Sequence, residues 1–166
     1  MDSKKTKTFI LKFPIFDAII LALTLAIDLL SKHFIAKYNT NSPVLGELVR
    51  FDYVKNTGAA FSFLGDKAWA PTFFIVLAAL IIPAIGAFLY FSRKNGIVCR
   101  LALTLIISGA LGNWLDRVFL GYVRDFIAVS FFPPIFNGAD SWLTIGIVLF
   151  LIYYIFLYKD PKKSAK

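Results

Sequence analysis

Four apolar stretches, each long enough to cross a lipid bilayer, constrain this chain more than any other feature. A bilayer core about 30 Å thick needs roughly 20 predominantly apolar residues per helix. Residues 14–35 (PIFDAIILALTLAIDLLSKHFI) are apolar except for Asp17, Asp28, Lys32 and His33. Residues 68–91 and 141–158 carry no charge, and residues 97–118 carry none from Leu101 to Leu115. Backbone groups in hydrocarbon must be satisfied internally, so runs of this length predict helices. Composition agrees: 58% of the 166 residues are hydrophobic and 17% charged, against about 25% charged in soluble domains. The expected fold is an all-α membrane protein, one domain over 1–166 with four transmembrane helices. Outer loops are expected at about 38–67 and 119–139.

Orientation follows from basic residues flanking the spans. The N-terminal tail holds Lys4, Lys5, Lys7 and Lys12. The second inter-helix loop holds Arg93, Lys94 and Arg100, and the C-terminal tail Lys159, Lys162, Lys163 and Lys166. These are eleven of the eighteen basic residues, so both termini are expected in the cytoplasm and both longer loops outside. The lysines before the first span imitate a secretory signal. The run is too long and lacks a small-x-small cleavage site, which argues for a retained helix. A net charge of +8 is explained by topology and anionic lipid, not nucleic acid. One Cys and one His exclude an intrachain disulfide and a multi-histidine metal site.

In the first outer segment Val49, Phe51 and Tyr53 alternate with Arg50 and Asp52. A period of two predicts a short strand at 48–54, followed by an Asn-Thr-Gly turn. The second outer segment lacks helical periodicity, and Pro133-Pro134 forbids a continuous helix.

Polar groups at membrane depth are expensive, so each is a functional candidate. Asp28 and Lys32 are four residues apart on one helix face, as suits a structural ion pair as well as chemistry. Asp17 lies near the inner interface and is expected to be solvated. Gly109, Asn113, Asp116 and Arg117 fall on one stripe of the third helix. Ser108 and Gly112 add a small-x-x-x-small pair that suits close helix packing, with Asn113 as interhelical glue. Asp125 and Asp140 bracket the uncharged stretch FIAVSFFPPIFNGA. Asp140 opens a helix, where an N-cap role competes with chemistry. Asp125 has no comparable structural reason. Two carboxylates brought together cannot both ionise comfortably, which lets one act as general base and the other as general acid.

Five segments together resemble one family, the lipoprotein signal peptidases (signal peptidase II), aspartic peptidases of bacterial plasma membranes. They are DLLSK at 28–32, KNTGAAFS at 55–62, SGALGNWLDRV at 108–118, VRDFI at 123–127 and FNGADS at 136–141. The resemblance spans nearly the whole chain in order. It implies a catalytic dyad of Asp125 and Asp140, with Asn56, Gly109, Asn113, Arg117, Asn137 and Asp28 binding substrate or supporting the dyad. It implies an outer strand region, between helices 1 and 2, that cradles the site. It further implies a monomer without metal or cofactor that cuts prolipoproteins just before a diacylglyceryl-modified Cys at the outer face, and that globomycin-type inhibitors block. Two positions depart from the family pattern. Leu29 stands where Gln is usual, and Arg124 where an aliphatic residue usually precedes the first catalytic Asp. Arg124 is expected to reach headgroups or solvent, or, turned inward, to favour ionised Asp125. The competing readings are a small transporter lined by Asp28, Asn113 and Asp116, and a non-enzymatic membrane scaffold. The first predicts ionisable groups spread through the membrane depth; the second leaves the outer motifs unexplained.

Overall fold

The computed structural model describes residues 3–38, 42–58, 67–92 and 95–158. Its elements run α1 (Ser3–Tyr38), β1 (Ser42–Leu45), β2 (Val49–Asn56), α2 (Ala70–Phe91), α3 (Ile97–Leu120), β3 (Val123–Val129), β4 (Phe132–Phe136) and α4 (Gly138–Ile152). A π-helical turn, Tyr153–Leu157, extends α4. All four helices contain stretches long and apolar enough to cross a membrane.

The helices start and stop for local reasons. Asn137 caps α4, so the helix begins at Gly138 rather than at 141 as expected. Gly121, at φ 80°, ends α3 in the left-handed conformation that glycine adopts without a Cβ penalty. The α1 helix runs back to Ser3, through the lysine-rich stretch expected as a tail.

α3 is the central helix, with 56% of its apolar window buried against none for α2. Leu80 and Phe91 of α2 remain 68% and 80% exposed, as expected of side chains that face lipid. Small residues make the central packing possible. A Cβ on Gly109 would strike the Ala139 carbonyl and Leu143 of α4, and one on Gly146 would lie 2.7 Å from the Ala102 carbonyl of α3. Ser108 hydrogen-bonds Thr24 of α1 at 2.7 Å.

The strands form one antiparallel sheet in the order β1-β2-β3-β4. The strand expected at 48–54 is β2. The second outer segment, expected as a loop, supplies β3 and β4. Pro133 and Pro134 fit because β4 is an edge strand, where a missing N–H costs no ladder bond. Since β1–β2 joins α1 to α2 and β3–β4 joins α3 to α4, the sheet covers one end of the bundle.

Candidate active site

The two carboxylates of the outer motifs arrive from different elements. Asp125 is the third residue of β3, paired in register with Val54 of β2. Strand alternation sends Val123 and Asp125 inward, leaving them 2% and 3% exposed. Asp140 is not the N-cap of α4 but its third helical residue. The Asn137 side chain accepts from the Asp140 N–H at 3.0 Å, and Asp140 Oδ2 accepts from the Asn137 N–H at 3.1 Å. This reciprocal capping box fixes the Asp140 rotamer.

Amides tie the carboxylates together. Asn137 Nδ2 donates to Asp125 Oδ1 at 2.6 Å and to Asn113 Oδ1 at 3.0 Å. Asn113 Nδ2 donates to Asp140 Oδ1 at 2.7 Å. Asn56 Nδ2 donates to Asp125 Oδ2 at 2.8 Å, while its Oδ1 accepts from the Gly58 N–H at 2.9 Å in an Asx turn. Burial pushes Asp125 up to about 6; hydrogen bonds from Asn56 and Asn137 and the charge of Lys32 oppose the shift, and the Asp140 charge adds to it.

Behind these amides lies a fully buried cation that the sequence did not assign to the site. Lys32 Nζ is 2.8 Å from Asp28 Oδ2 and donates to Asn113 Oδ1 at 3.0 Å. Asp28 in turn accepts from the Ala139 N–H at 2.7 Å, at the start of α4. It packs so closely on Gly112 that a Cβ there would collide with its carboxylate. The i,i+4 spacing announced the Asp28–Lys32 pair. Nothing in the sequence announced that Lys32 also holds Asn113, because that contact joins residues on two helices.

Arg124 takes neither expected course. It turns onto Asp116, whose Oδ1 accepts from Nη2 at 2.6 Å and from Nε at 3.2 Å. Asp116 Oδ2 also accepts the Arg124 backbone N–H at 3.0 Å. Burial opposes the charge on Arg124, but hydrogen bonds and charge from Asp116 outweigh it and hold the guanidinium above its ordinary pKa. The physical reason is alternation: Asp125 faces the cavity, so its neighbour faces the end of α3. Asp17 and Arg100 also depart from expectation. Neither is simply solvated: Arg100 is fully buried and pairs with Asp17 across α1 and α3.

A cavity of about 700 Å³ opens over the carboxylates. Asn56, Asn113, Arg117, Asp125 and Asp140 lie along its polar part. Phe131, Phe132, Pro134, Ile135 and Phe136 from the β3–β4 hairpin and Leu143 and Ile145 from α4 supply apolar wall. Arg117 Nη2 donates to the Gly58 carbonyl at 2.6 Å, and its guanidinium lies 5.1 Å from the Phe74 ring centroid. A second cavity, about 1060 Å³, borders the first across Val129, Phe132 and Ile135 and is lined by Ser42, Glu47, Arg50, Asp52 and Ser130. Of the residues singled out by sequence, Asn56, Asn113, Arg117, Asp125, Asn137 and Asp140 meet at one place. Asp28 stands one step behind them, and Gly109 acts in α3–α4 packing. Residues 59–62 of KNTGAAFS lie outside the described residues. Among the described residues, no group of three His, Cys, Asp or Glu could hold a metal ion.

The fold has close counterparts among solved structures. A solved bacterial membrane enzyme shares 33% identity and a TM-score of 0.75, covering 84% of this chain and 87% of its own. A second, also described as a bacterial membrane enzyme, shares 31% and 0.75 over 86% and 94%. Lipoprotein signal peptidases of Streptococcus pyogenes serotypes M1 and M2 are 42% and 41% identical, over 80% of this chain and 88% of theirs. The model of the family described as Signal peptidase (SPase) II matches residues 20–156. With that match across all four spans and both carboxylates, the chain belongs to the signal peptidase II family.

Proposed function

We propose that this protein is a membrane aspartic endopeptidase that removes signal peptides from diacylglyceryl-modified prolipoproteins, cutting just before the lipidated cysteine. Family membership and the names of its relatives support peptidase action in lipoprotein processing. The observation that carries the aspartic mechanism is that Asn137 hydrogen-bonds both Asp125 and Asp140 at the polar end of a largely apolar cavity.

Asp125 is the deeper carboxyl and takes the role of acid. Its proton hydrogen-bonds the scissile carbonyl and polarises it. Asp140 removes a proton from water as that water attacks the carbonyl carbon, giving a tetrahedral intermediate. Collapse breaks the C–N bond, and the proton gained by Asp140 passes to the leaving amine of the cysteine. Asn113 and Asn137 hold the pair in register, and Arg117 supplies a fixed positive charge beside the cavity. The apolar hairpin and α4 suit acyl chains and the signal-peptide helix. Membrane lipid therefore surrounds a site placed at the outer face, with both termini cytoplasmic. No nucleic acid, metal or cofactor enters the reaction, the enzyme acts as a monomer, and globomycin-type inhibitors occupy this cavity.

Purified protein in detergent, given a diacylated prolipoprotein, should release the signal peptide. Asp125→Asn and Asp140→Asn should each abolish release; near-wild-type cleavage by either would sink the dyad assignment. Equal turnover of unlipidated substrate would point to a different peptidase specificity.

A further inference from the structure

We infer that Arg124 is a positioning residue: by occupying Asp116 it leaves Lys32 to Asn113, the amide that holds Asp140. This rests on the aspartic-peptidase reading and adds to it a device built on a residue that departs from the family pattern.

Lys32 is a buried ammonium among three acceptors. It lies 2.8 Å from Asp28, 3.0 Å from Asn113 Oδ1 and 3.6 Å from Asp116 Oδ2. An ammonium is drawn more strongly to a second carboxylate than to a neutral amide oxygen, so Asp116 competes with Asn113 for it. Arg124 settles that competition. Its planar fork and its backbone N–H both donate to Asp116, which is 2% exposed. The carboxylate is saturated, and Lys32 stays on Asn113.

The orientation of that amide matters. Asn113 directs its oxygen to Lys32 and Asn137 and its NH₂ to Asp140. A Lys32 drawn toward Asp116 removes the cation that holds the amide oxygen, and the NH₂ loses its fixed aim at Asp140. Charge balance points the same way. Asp28 and Asp116 are matched by Lys32 and Arg124, so the cluster adds no net charge behind the carboxylate pair. The charged and titratable groups around Asp116 are Lys32 and Asp28 from α1, Arg124 from β3, Arg117 on its own helix and Tyr53 from β2. Tyr53, hydrogen-bonded to Tyr122, is pushed up to about 12 by burial and by that bond, so it stays neutral where the enzyme works.

The test uses the full-length protein in detergent and a diacylated prolipoprotein. Arg124→Val should lower kcat about tenfold and leave KM within about twofold, since the amide is misaimed and the cavity unchanged. Loss of one cation should also move the alkaline limb of kcat/KM to higher pH, and Arg124→Lys should return that limb toward wild type. Adding Asp116→Asn to Arg124→Val should recover most of the lost kcat. The amide side chain can still accept the backbone N–H of position 124 but has no charge to draw Lys32. A mere staple between β3 and α3 would leave the double variant no better than the single one. That result, or wild-type kcat and pH limb in Arg124→Val, overturns the role of Arg124 and leaves the peptidase reading standing. A wild-type protein that does not cleave overturns both. Should Arg124→Val fail to fold, Arg124→Gln carries the same comparison.

Discussion

Two buried ionic clusters sit near opposite ends of α3, and they differ in what they touch. Near the start, Arg100 pairs with Asp17 and joins α3 to α1. Asp116, 16 residues later and so about 24 Å along the helix, meets Arg124 and Lys32. Through Lys32 and Asn113 that second cluster continues to Asp140, and through Asn137 to Asp125. Both clusters bear the desolvation cost of buried charge. Only the second sends directional donors onward to carboxylates that line a cavity. Burial of charge therefore does not by itself mark a site; connection to an accessible polar surface does.

The strongest way to sharpen the contrast is to neutralise the proposed dyad. Asp125→Asn or Asp140→Asn should lower kcat on the order of 10⁴-fold, with only a modest fall in melting temperature in detergent, because both oxygens of each carboxylate accept from N–H donors and the new NH₂ must face one of them. A large loss of thermal stability would instead make these residues structural. At the other end, Arg100→Leu strands Asp17 and should cost about 3–5 kcal/mol, while the folded fraction cleaves at the wild-type rate. The Asp17→Leu/Arg100→Leu pair should restore most of that stability, and catalytic loss in the double variant would break the distinction.

Asn137→Ala should affect both readouts. It removes the cap of α4, at about 1 kcal/mol, and the Nδ2 donor that holds Asp125 and Asn113, lowering kcat about 10²-fold. The smallest effect is on pH. In the proposed mechanism Asp125 is protonated to act as acid, and its pKa is raised to about 6. Activity dependent on it is therefore present below that pH and declines as pH rises through it, as the alkaline limb of kcat/KM will report. Asn56 stabilises the ionised form of Asp125, so Asn56→Ala should move the limb to higher pH. A downward shift would contradict that assignment.

Much of the fold was legible because hydrophobic runs dictate membrane helices, and a period of two gave β2. The strands β3 and β4 were harder to read. FIAVSFFPPIF is apolar on both faces although its residues line two different cavities, so no alternation survives. The carboxylates and their amides were legible as motifs. Their connections were not, because hydrogen bonds such as Lys32 to Asn113 join residues 81 apart in sequence and depend on how two helices approach. Arg100 was misjudged for a related reason. Near a span end an arginine looks like a topology signal, and burial on Asp17 is a tertiary fact.

The β3–β4 hairpin lends Val129, Phe132 and Ile135 to both cavities. The same three residues line both, so the hairpin itself is the partition. On one side Leu143 and Ile145 offer hydrocarbon; on the other Glu47, Arg50 and Asp52 offer charge. The hairpin thus divides an oil-like environment from a water-like one within a few residues of chain.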